Sequence, residues 1–516
     1  MSDKNYLFRS GADWDNPLLG RIWDEIEIIA REELDIIEGR DYYKPIMEIV
    51  TAEQMIDAYA AVGLPNYYNH WSFGKDYTTN FEKYKAGEMG LAFEIVINSD
   101  PCIGFCLEEN DATMQALVMA HAMIGHNFVF KNNQLFKTWT EPDAIVDYIN
   151  FAKEFVRKCE ERYGVQEVEW TLDSCHALMN HGVDFYKRKH YPKMSQDAAE
   201  AARKLGFEQT LQEYDDLMQK TLPEKPVKNK DDRMEPQENI LYFIEKHSPN
   251  LPQWKRELIR IVRKMATYFY PQSQTQVLNE GFATFTHHYI MTRLEEKGLI
   301  DSGSYLSFLK SHTSVIMQPG FDSPYYSGGF NPYALGFAIY TDLRRICTDP
   351  TDEDRKWFPN LIGRNWVEVV KEAASNYNDE SFLMQYLSPK VMRDLQMFQI
   401  EVDLEDSPIA TVTEIQDDIG YQNIREAVAA SRARINMVPN IQVVDVDLSG
   451  DRVLTLQYFP YEVDGVARDL HSGRAIDTTF HVGQLWGYEV DLMQEVEGEM
   501  EVIAFYERAL EDEDEQ

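Results

Sequence analysis

The stretch ATMQALVMAHAMIGHNFVF, residues 112–130, is the starting point for predicting both the fold and the functional site. It contains no Asp, Glu, Lys or Arg, and its only titratable side chains are His121 and His126. Asn110 and Asp111 precede it, and either is a suitable N-cap, so the pattern predicts that a helix begins here. Apolar residues stand three, four and seven positions before His121, so this histidine is expected to point into a core with them.

Two buried histidines pose a specific problem, because each ring has two nitrogens that need partners. His126 lies five positions after His121, about 140° away around an ideal helix. Gly125 or a local π-bulge could bring the two rings to one point. The stretch lacks both the glutamate and the i, i+4 spacing of the zincin motif HExxH. Two interpretations remain open: a metal site, and two core histidines with separate hydrogen-bond partners.

The segment QTQVLNEGFATFTHHYIMTRL, residues 274–294, predicts a second helix with the character of a core element. Glu280 is its only formally charged side chain before Arg293. Burying an isolated carboxylate is costly unless it is paired, protonated or bound to a metal. His287 follows two turns later on the same face and is predicted as a metal ligand or as a hydrogen-bond partner of one. The pattern NEGFA also resembles the Asn-Glu-x-x-Ala sequence that supplies the third zinc ligand of gluzincin peptidases, and the alternative is an ion pair between Glu280 and a distant arginine.

A third group of polar residues occurs in LDSCHALMNHG, residues 172–182. Asp173 and His176 are three positions apart and face the same way on a helix, as in carboxylate-rich metal sites. His181 follows at another five-residue interval and can equally be a helix C-terminal residue before Gly182. This stretch therefore adds one acid and one imidazole to the candidate site.

Taken together, the three helices predict a zinc or iron site with nitrogen and oxygen ligands. In this hypothesis Glu109, at the start of the first helix, or Asp173 is the base for a bound water. Motifs for other chemistries are missing from the sequence: there is no G-x-S-x-G elbow, no Walker loop and no dinucleotide fingerprint. The predicted ligands are His121, His126, His176 and Glu280, with His287 as a further metal-binding candidate.

The periodicity predicts an α+β protein with a large, mainly α-helical N-terminal domain and a small α+β C-terminal domain. Helical spacing dominates residues 1–404, with an exposed loop expected at 221–239, where charged residues and proline replace apolar ones. Residues 405–506 read as helix, hairpin, helix, hairpin; NIQVVDVDL and RVLTLQYFP form the first hairpin, and YEVDLMQEV and EVIAFYE form the second. Residues 507–516 are predicted to be an acidic, disordered tail.

Composition narrows the functional classes. The chain of 516 residues has 87 Asp and Glu against 50 Lys and Arg, a formal net charge of -37, which argues against non-specific binding to nucleic acid or anionic lipid. Five cysteines without a CxxC pair indicate neither a disulfide framework nor a thiolate zinc site. The first twenty residues lack the features of a signal peptide, and no segment reaches the length of a membrane span. We therefore expect a cytoplasmic protein without membrane or nucleic-acid partners.

Seven motifs spread along the chain resemble those of the SpoVR family, named for stage V sporulation protein R. The similarity runs from the first residues to beyond residue 480 and includes the small C-terminal domain. The motifs are NHWSFGK (69–75), QALVMAHAMIGHN (115–127), DSCHALMN (173–180), PQENILYF (236–243), QTQVLNEGFATF (274–285), NPYALGF (331–337) and LSPKVMRDL (387–395).

The resemblance implies a link to spore cortex formation, although relatives also occur in bacteria that make no spores. Family genes commonly lie near those for a PrkA-like serine protein kinase and a protein with a von Willebrand factor-like domain, which are therefore expected partners. His181 and His288 lie outside the matching pattern. The positions that match it are His121, His126, His176, Glu280 and His287.

Two functional hypotheses follow from these observations. The first is a metal-dependent hydrolase that acts on a peptidoglycan-related amide or a precursor. The second is a non-catalytic scaffold that regulates a PrkA-like kinase system in sporulation or stress response, in which the histidines serve structure only. Metal content and partner binding distinguish the two hypotheses.

Overall fold

The computed structural model describes residues 6–64, 67–86, 94–184, 236–320, 323, 329–397, 400–402, 410–412, 417–446, 448, 450–460, 462–463, 466–467, 469–496 and 498–507. The chain divides into two compact units. The first comprises Met1–Lys158 and Tyr268–Met437, and the second comprises Cys159–Thr267 and Val438–Gln516. The predicted fold class is confirmed: a large helical N-terminal part is followed by a small C-terminal domain with a four-stranded sheet.

The helices and strands have the following limits. The helices are α1 (Asn16–Glu33), α2 (Ala52–Ala60), α3 (Trp71–Lys85), α4 (Ala112–Val118), a π-helical segment (Met119–His126), α5 (Asn127–Asn132), α6 (Gln134–Trp139), α7 (Ile145–Tyr163), α8 (Val165–Ala177), a 3₁₀ turn (Met179–Gly182), α9 (Ile240–His247), α10 (Gln253–Gln274), α11 (Gln276–Glu296), α12 (Ser302–Val315), α13 (Pro332–Thr348), α14 (Asp352–Trp357), α15 (Trp366–Asn376), α16 (Asp379–Tyr386), α17 (Pro389–Asp394), α18 (Asp418–Ala430), α19 (Arg434–Met437) and α20 (Ser472–Trp486). The strands are β1 (Pro45–Val50), β2 (Glu94–Ile97), β3 (Cys102–Leu107), β4 (Ile400–Val402), β5 (Ala410–Val412), β6 (Ile441–Val446), β7 (Leu454–Tyr458), β8 (Glu462–Val463), β9 (Val466–Ala467), β10 (Val490–Val496) and β11 (Glu499–Tyr506).

Helix α11 is the central element of the first unit. It buries side chains on most of its surface, and the ring of Phe282 packs 4.9 Å from that of Phe128 and 5.5 Å from that of Tyr340. The buried carboxylate of Asp379 accepts from the backbone N–H groups of Val277 and Leu278 in the first turn of α11, each at 2.9 Å. This cap satisfies donors that a helix leaves unpaired at its N-terminus. The core helix predicted around Glu280 is therefore confirmed.

Helix α11 also approaches α13 closely because glycines meet at their crossing. A Cβ added to Gly281 would collide with the backbone of Gly336, and one added to Gly336 would collide with Gly281 and with the carbonyl of Val277. Only residues without a side chain permit this separation. The close crossing brings the N-terminal part of α13, and with it Tyr333, towards Glu280.

A three-stranded sheet in the first unit was not predicted from the sequence. Strand β3 lies in the middle, parallel to β1 and antiparallel to β2. Its residues Cys102, Phe105 and Leu107 are buried. A short run of buried apolar residues has the same sequence pattern in a strand as in a helix, so periodicity alone could not identify this strand. This sheet matters for function because β2 begins at Glu94.

Helix α18 lies in the first unit, although its sequence was grouped with the C-terminal module. Tyr421 and Ala429 belong to the first unit's hydrophobic core. The guanidinium of Arg425 donates to the carbonyl oxygens of Leu387 and Met384 at the end of α16, and it stacks on Trp357 at 4.6 Å. Helix α18 belongs to the first unit because one of its faces is buried against these groups. The change in sequence pattern near residue 405 could not reveal such contacts.

The second unit contains the predicted pair of hairpins. Strands β6 and β7 pair antiparallel, as do β10 and β11, and both hairpins are confirmed. The sheet has the order β11-β10-β7-β6, with β10 parallel to β7. Helix α20 covers one face with Val482, Leu485 and the fully buried Trp486. Parallel neighbouring strands need a crossover connection, and α20, which lies between the two hairpins in the chain, provides it for β7 and β10.

Two further predictions fall largely outside the described part of the chain. Of the loop expected at 221–239, residues 221–235 lie outside it; Asn239 is buried, where it donates to the Gly182 carbonyl at 2.8 Å and caps α9. Of the acidic tail at 507–516, only Glu507 is described. Among the helices that the structure describes, none is both long enough and apolar enough to cross a membrane.

Candidate metal centre

His121 and His126 converge because the helix that carries them changes its winding. The residues from Met119 to His126 form a π-helix, which follows α4 directly and continues into α5. A π-helix pairs residues five apart, so the wider turn removes most of the angular offset that an α-helix would impose on this spacing. The two ring centroids are 4.6 Å apart with nearly perpendicular planes, and both residues are buried. Of the two ways considered for the rings to converge, the structure has the π-type distortion, and of the two N-cap candidates Asp111 caps the helix.

Gly125 allows the π-helix to pack directly against α11. A Cβ at this position would lie 2.5 Å from the Cα of Ala283 and 2.8 Å from its Cβ. Those separations are far shorter than ordinary van der Waals contact, so any side chain here would push the two helices apart. The glycine between the two histidines therefore serves the approach of α11, which carries Glu280 three residues before Ala283.

Two carboxylates meet the Nε2 atoms of these histidines. Oε2 of Glu280 lies 3.6 Å from Nε2 of His121 and 3.5 Å from Nε2 of His126. Oε1 of Glu94, at the start of β2, lies 3.4 Å from Nε2 of His121. One ligand atom from each of Glu94, His121 and His126 lies within 4.8 Å of the others. We refer to Glu94, His121, His126 and Glu280 as the His–Glu cluster.

The separations within the His–Glu cluster would allow its side chains to hold a metal ion. Nitrogen–oxygen distances of 3.4–3.6 Å exceed the usual hydrogen-bond range. The edge of a tetrahedron of ligands about 2.1 Å from a central zinc ion measures about 3.4 Å. Oε2 of Glu94 is also buried without a hydrogen-bond donor among the described residues. Two imidazoles and two carboxylates form a donor set suited to zinc or iron.

Burial and charge give the two carboxylates different protonation behaviour. Burial raises the pKa of Glu94 to about 7, with the charge of Glu280 adding to the rise and His121 opposing it. Burial also acts to raise the pKa of Glu280, but His126 and His121 outweigh it, so its net pKa is lowered. Glu280 is therefore the ionised member, and Glu94 exchanges its proton near neutral pH.

Asn279 fixes the orientation of His126. Its Oδ1 lies 2.9 Å from Nδ1 of His126, and both residues are buried. Because an amide oxygen only accepts, Nδ1 of the neutral imidazole must carry the proton. The lone pair of Nε2 then faces the His–Glu cluster. A hydrogen bond of this kind commonly sets the tautomer of a metal-binding histidine.

His121 is held from behind by two further histidines. Its Nδ1 lies 2.9 Å from Nδ1 of His287, whose Nε2 lies 3.0 Å from Nδ1 of His312. Burial lowers the pKa of His287 well below its usual value and that of His312 to about 3, in both cases reinforced by neighbouring histidines. Both are thus neutral, and donation from His121 to His287 and from His287 to His312 accounts for both short contacts. This arrangement leaves no ring nitrogen of His287 facing the cluster, so it favours a positioning role over the predicted ligand role.

Two tyrosines approach the same carboxylates. The ring of Tyr333 lies 6.4 Å from that of His121 in a nearly parallel arrangement, and its hydroxyl hydrogen-bonds with Glu280. Burial raises the pKa of Tyr333 far above its usual value, and burial together with Glu94 and Glu280 raises that of Tyr59 to about 12. Both phenols therefore remain hydrogen-bond donors at neutral pH.

The remaining sequence-predicted residues lie elsewhere in the chain. Asp173 and His176 are on α8 in the second unit, and the His–Glu cluster contains neither. Glu109 is exposed after β3 and accepts from the Tyr84 hydroxyl at 3.2 Å, so it belongs to a surface contact. His288 is adjacent to His287 in the chain and packs 4.7 Å from the ring of His312. Helical spacing placed these groups on faces but could not show which faces converge.

Glu94 is the cluster member that sequence reasoning missed. The helical interpretation of residues 14–400 concealed the strand that carries it. A signal was nevertheless present, because Glu94 is the only charged residue in LAFEIVINS, residues 91–99. The criterion that identified Glu280, a lone acid in an apolar run, would have identified Glu94 if it had also been applied to strands.

Comparison with known proteins shows which family this chain belongs to. A model of SpoVR-like proteins matches residues 13–437, and a model of the SpoVR-like C-terminal domain matches residues 439–497. The chain is 48% identical over 509 residues to the uncharacterized protein YcgB of Escherichia coli (strain K12), an alignment that covers 98% of this chain and 97% of the relative. None of the solved structures matches it significantly. The chain therefore belongs to the SpoVR family.

Proposed function

We propose that this protein is a metal-dependent hydrolase whose centre is the His–Glu cluster. The observation that carries the proposal is the position of Glu280 Oε2, which lies 3.6 Å from Nε2 of His121 and 3.5 Å from Nε2 of His126. These separations are longer than hydrogen bonds and close to the spacing of ligands around one ion. Explaining the same spacing as core packing would require a buried Glu94 oxygen to remain without a donor, which native structures rarely tolerate.

We assign the metal-holding role to His121, His126 and Glu280. Two histidines and one glutamate form a ligand set that leaves a coordination position open, as catalytic zinc sites do. Asn279 and His287 hold the two imidazoles with Nε2 directed at the cluster. A bound zinc or iron ion would supply a Lewis acid and lower the pKa of a coordinated water towards neutrality.

The base for this reaction is then Glu94, in place of Glu109 or Asp173. Its Oε1 lies 3.4 Å from Nε2 of His121, so this carboxylate is next to the proposed ligands and within reach of a proton on a coordinated water. Its Oε2 has no competing donor in the described part of the chain. The hydroxyl of Tyr333, which remains protonated, donates to Glu280 and helps to hold that carboxylate in place.

The substrate class follows only from the family resemblance. The link of relatives to spore cortex suggests a peptidoglycan-related amide or a precursor made in the cytoplasm. Mass spectrometry of muropeptides and of cytoplasmic precursor peptides incubated with the metal-loaded protein would detect the expected cleavage.

The metal content of the purified full-length protein tests the site without knowledge of the substrate. We expect about one equivalent of zinc or iron in the native protein, and a loss of most of it in His121→Ala and Glu280→Gln. Glu94→Gln should retain the metal while losing hydrolysis, because its proposed role is to accept a proton. His471→Ala, which removes an exposed histidine at the start of α20, is the matched control and should leave the metal unchanged. A native protein that binds no more metal than His121→Ala would refute the proposal.

A further inference from the structure

The second unit carries an apolar edge at strand β11. It consists of Ile476 and Phe480 on α20 and of Met500, Val502 and Phe505 on β11, which we call the β11 edge. All five side chains are exposed, among them Phe505 at 65% and Ile476 at 60%. We propose that the β11 edge binds an extended segment of a partner protein, in which basic and apolar residues alternate, as an added strand. This proposal is independent of the metal centre.

The backbone of β11 is available for pairing on one side. In the sheet order β11-β10-β7-β6, β11 is the terminal strand among those that the structure describes. Seven of its residues pair with β10, with one irregularity between Leu492 and Met493. The opposite row of N–H and C=O groups points away from the sheet. Such a row is a template for a further strand, and addition of an extended peptide to a sheet edge is a common mode of recognition.

Apolar side chains flank this backbone on both faces of the sheet. Phe505 pairs with Asp491 and Val502 with Met493, so both lie on the face opposite Leu492, which is buried under α20. On the α20 side, Ile476 and Phe480 are one helical turn apart.

Contacts with Tyr506 place the exposed row of α20 beside β11. The ring of Phe480 lies 6.1 Å from that of Tyr506, whose hydroxyl accepts from Gln484 at 3.1 Å. A strand added to β11 would therefore find apolar neighbours for its side chains on both faces. Exposed apolar side chains grouped along a sheet edge are typical of a binding surface.

Charge identifies the chemistry of the partner. Between residues 472 and 507 the sequence has eight acidic residues and a single basic one, Arg474. Glu499 and Glu501 lie on β11 itself, where a natural edge strand more often carries lysine for protection. In an antiparallel pair of two copies centred on Met500, Glu499 of one copy would face Glu501 of the other, which destabilises strand pairing. A partner with Lys or Arg between apolar residues satisfies both the charges and the exposed side chains.

Binding of synthetic peptides to the full-length protein tests this inference. A fluorescent heptapeptide of alternating lysine and valine should bind in an anisotropy titration at physiological salt. An alternating glutamate–valine peptide and an alternating lysine–glycine peptide should each bind at least about tenfold more weakly, since one has the wrong charge and the other lacks apolar side chains and strand propensity.

Variants of the β11 edge separate specific pairing from simple attraction to an acidic protein. The double variant Glu499→Lys/Glu501→Lys should reverse the preference towards the glutamate–valine peptide, and Val502→Asp should weaken binding of the lysine–valine peptide. Asp24→Lys/Glu32→Lys on α1 makes the same change in net charge at exposed positions of the first unit and should leave the preference unchanged. Equal effects of the two double variants would overturn the proposal. It would also be overturned if sedimentation showed a dimer of the native protein that Val502→Asp dissociates, because the edge would then pair with a second copy.

Discussion

Two glutamates in different units of this molecule, one buried and one partly buried, have opposite surroundings. Glu245, on α9, is 1% exposed at its side chain and lies 2.7 Å from Lys246, 3.0 Å from Arg260 and 3.1 Å from Arg263. Burial acts to raise its pKa, but these cations outweigh burial and the net pKa is lowered. Glu94 faces no lysine or arginine among its described neighbours, only His121, and its pKa is raised to about 7.

The comparison separates a structural ion pair from a site. Around Glu245 the protein places three cations, which is more positive charge than one carboxylate needs. The carboxylate is therefore ionised, and both of its oxygens have donors. Around Glu94 the protein supplies an imidazole and a second carboxylate at a distance, and one oxygen has no donor within the described residues. A buried acid whose surroundings lack positive charge is a candidate for metal binding or proton transfer. The three predictions below test this difference, beginning with the largest expected effect.

The largest effect is expected from Glu245→Gln. Removing the charge leaves three cations together without their common partner, and breaking a buried pair in this way costs about 3 kcal/mol in the free energy of unfolding. Urea unfolding followed by circular dichroism at pH 7 would measure the loss. Because the folded pKa of Glu245 lies below its unfolded value, the stabilisation is present above pH 4.5 and disappears as the pH falls through the folded pKa.

The matched control for this change is Glu154→Gln on α7. Glu154 also forms two ion pairs, with Arg157 at 2.8 Å and Lys158 at 3.2 Å, but all three side chains are at least half exposed. Solvent screens such pairs, so little or no change in unfolding is expected. If both variants lost equal stability, burial would not be what distinguishes Glu245.

An intermediate effect is expected from Asn279→Ala. The variant removes the acceptor that fixes the tautomer and orientation of His126, and loss of such a partner weakens metal affinity by about 10–100-fold. Competition with a chromophoric chelator would measure the change for added zinc. Asn279→Asp keeps an acceptor for the Nδ1 proton and should restore most of the affinity. Unchanged affinity in Asn279→Ala would mean that His126 does not hold the metal.

The sequence predicted those parts of the fold and site that depend on local spacing. Helices around His121 and Glu280 and the C-terminal hairpins follow from periodicity, turn residues and capping. Convergence does not follow from such patterns. Whether Glu94 or His176 joins His121 depends on which faces the tertiary fold brings together, and that depends on contacts such as Gly125 against Ala283 and Gly281 against Gly336.

The short sheet of the first unit shows a second limit. Strands β1, β2 and β3 have four to six residues and are flanked by long helices. A run of four apolar residues fits a buried strand and a buried helical turn equally well. Only pairing of β2 with β3, which are joined by residues 98–101, settles that Glu94 begins a strand. Glu94 was therefore missed as a site residue for the same reason that β2 was missed as a strand.

The smallest effect is expected from Glu94→Gln in protein stripped of metal. A raised folded pKa means that the ionised carboxyl is less stable in the folded protein than in the unfolded chain. Its contribution to stability is therefore complete below pH 4.5 and declines as the pH rises through about 7. Glutamine is neutral at every pH, so we expect Glu94→Gln to match the native protein near pH 4.5 and to be more stable by about 1 kcal/mol at pH 8. This is well below what 1.36 kcal/mol per pKa unit would give for the whole rise from 4.5 to about 7, because Glu280 and His121 adjust to the change. Urea midpoints measured at both pH values with a chelator present would detect the difference. A variant less stable than the native protein at pH 8 would show that Glu94 has a partner that stabilises its charge, as Glu245 has, and would remove the distinction between the two acids.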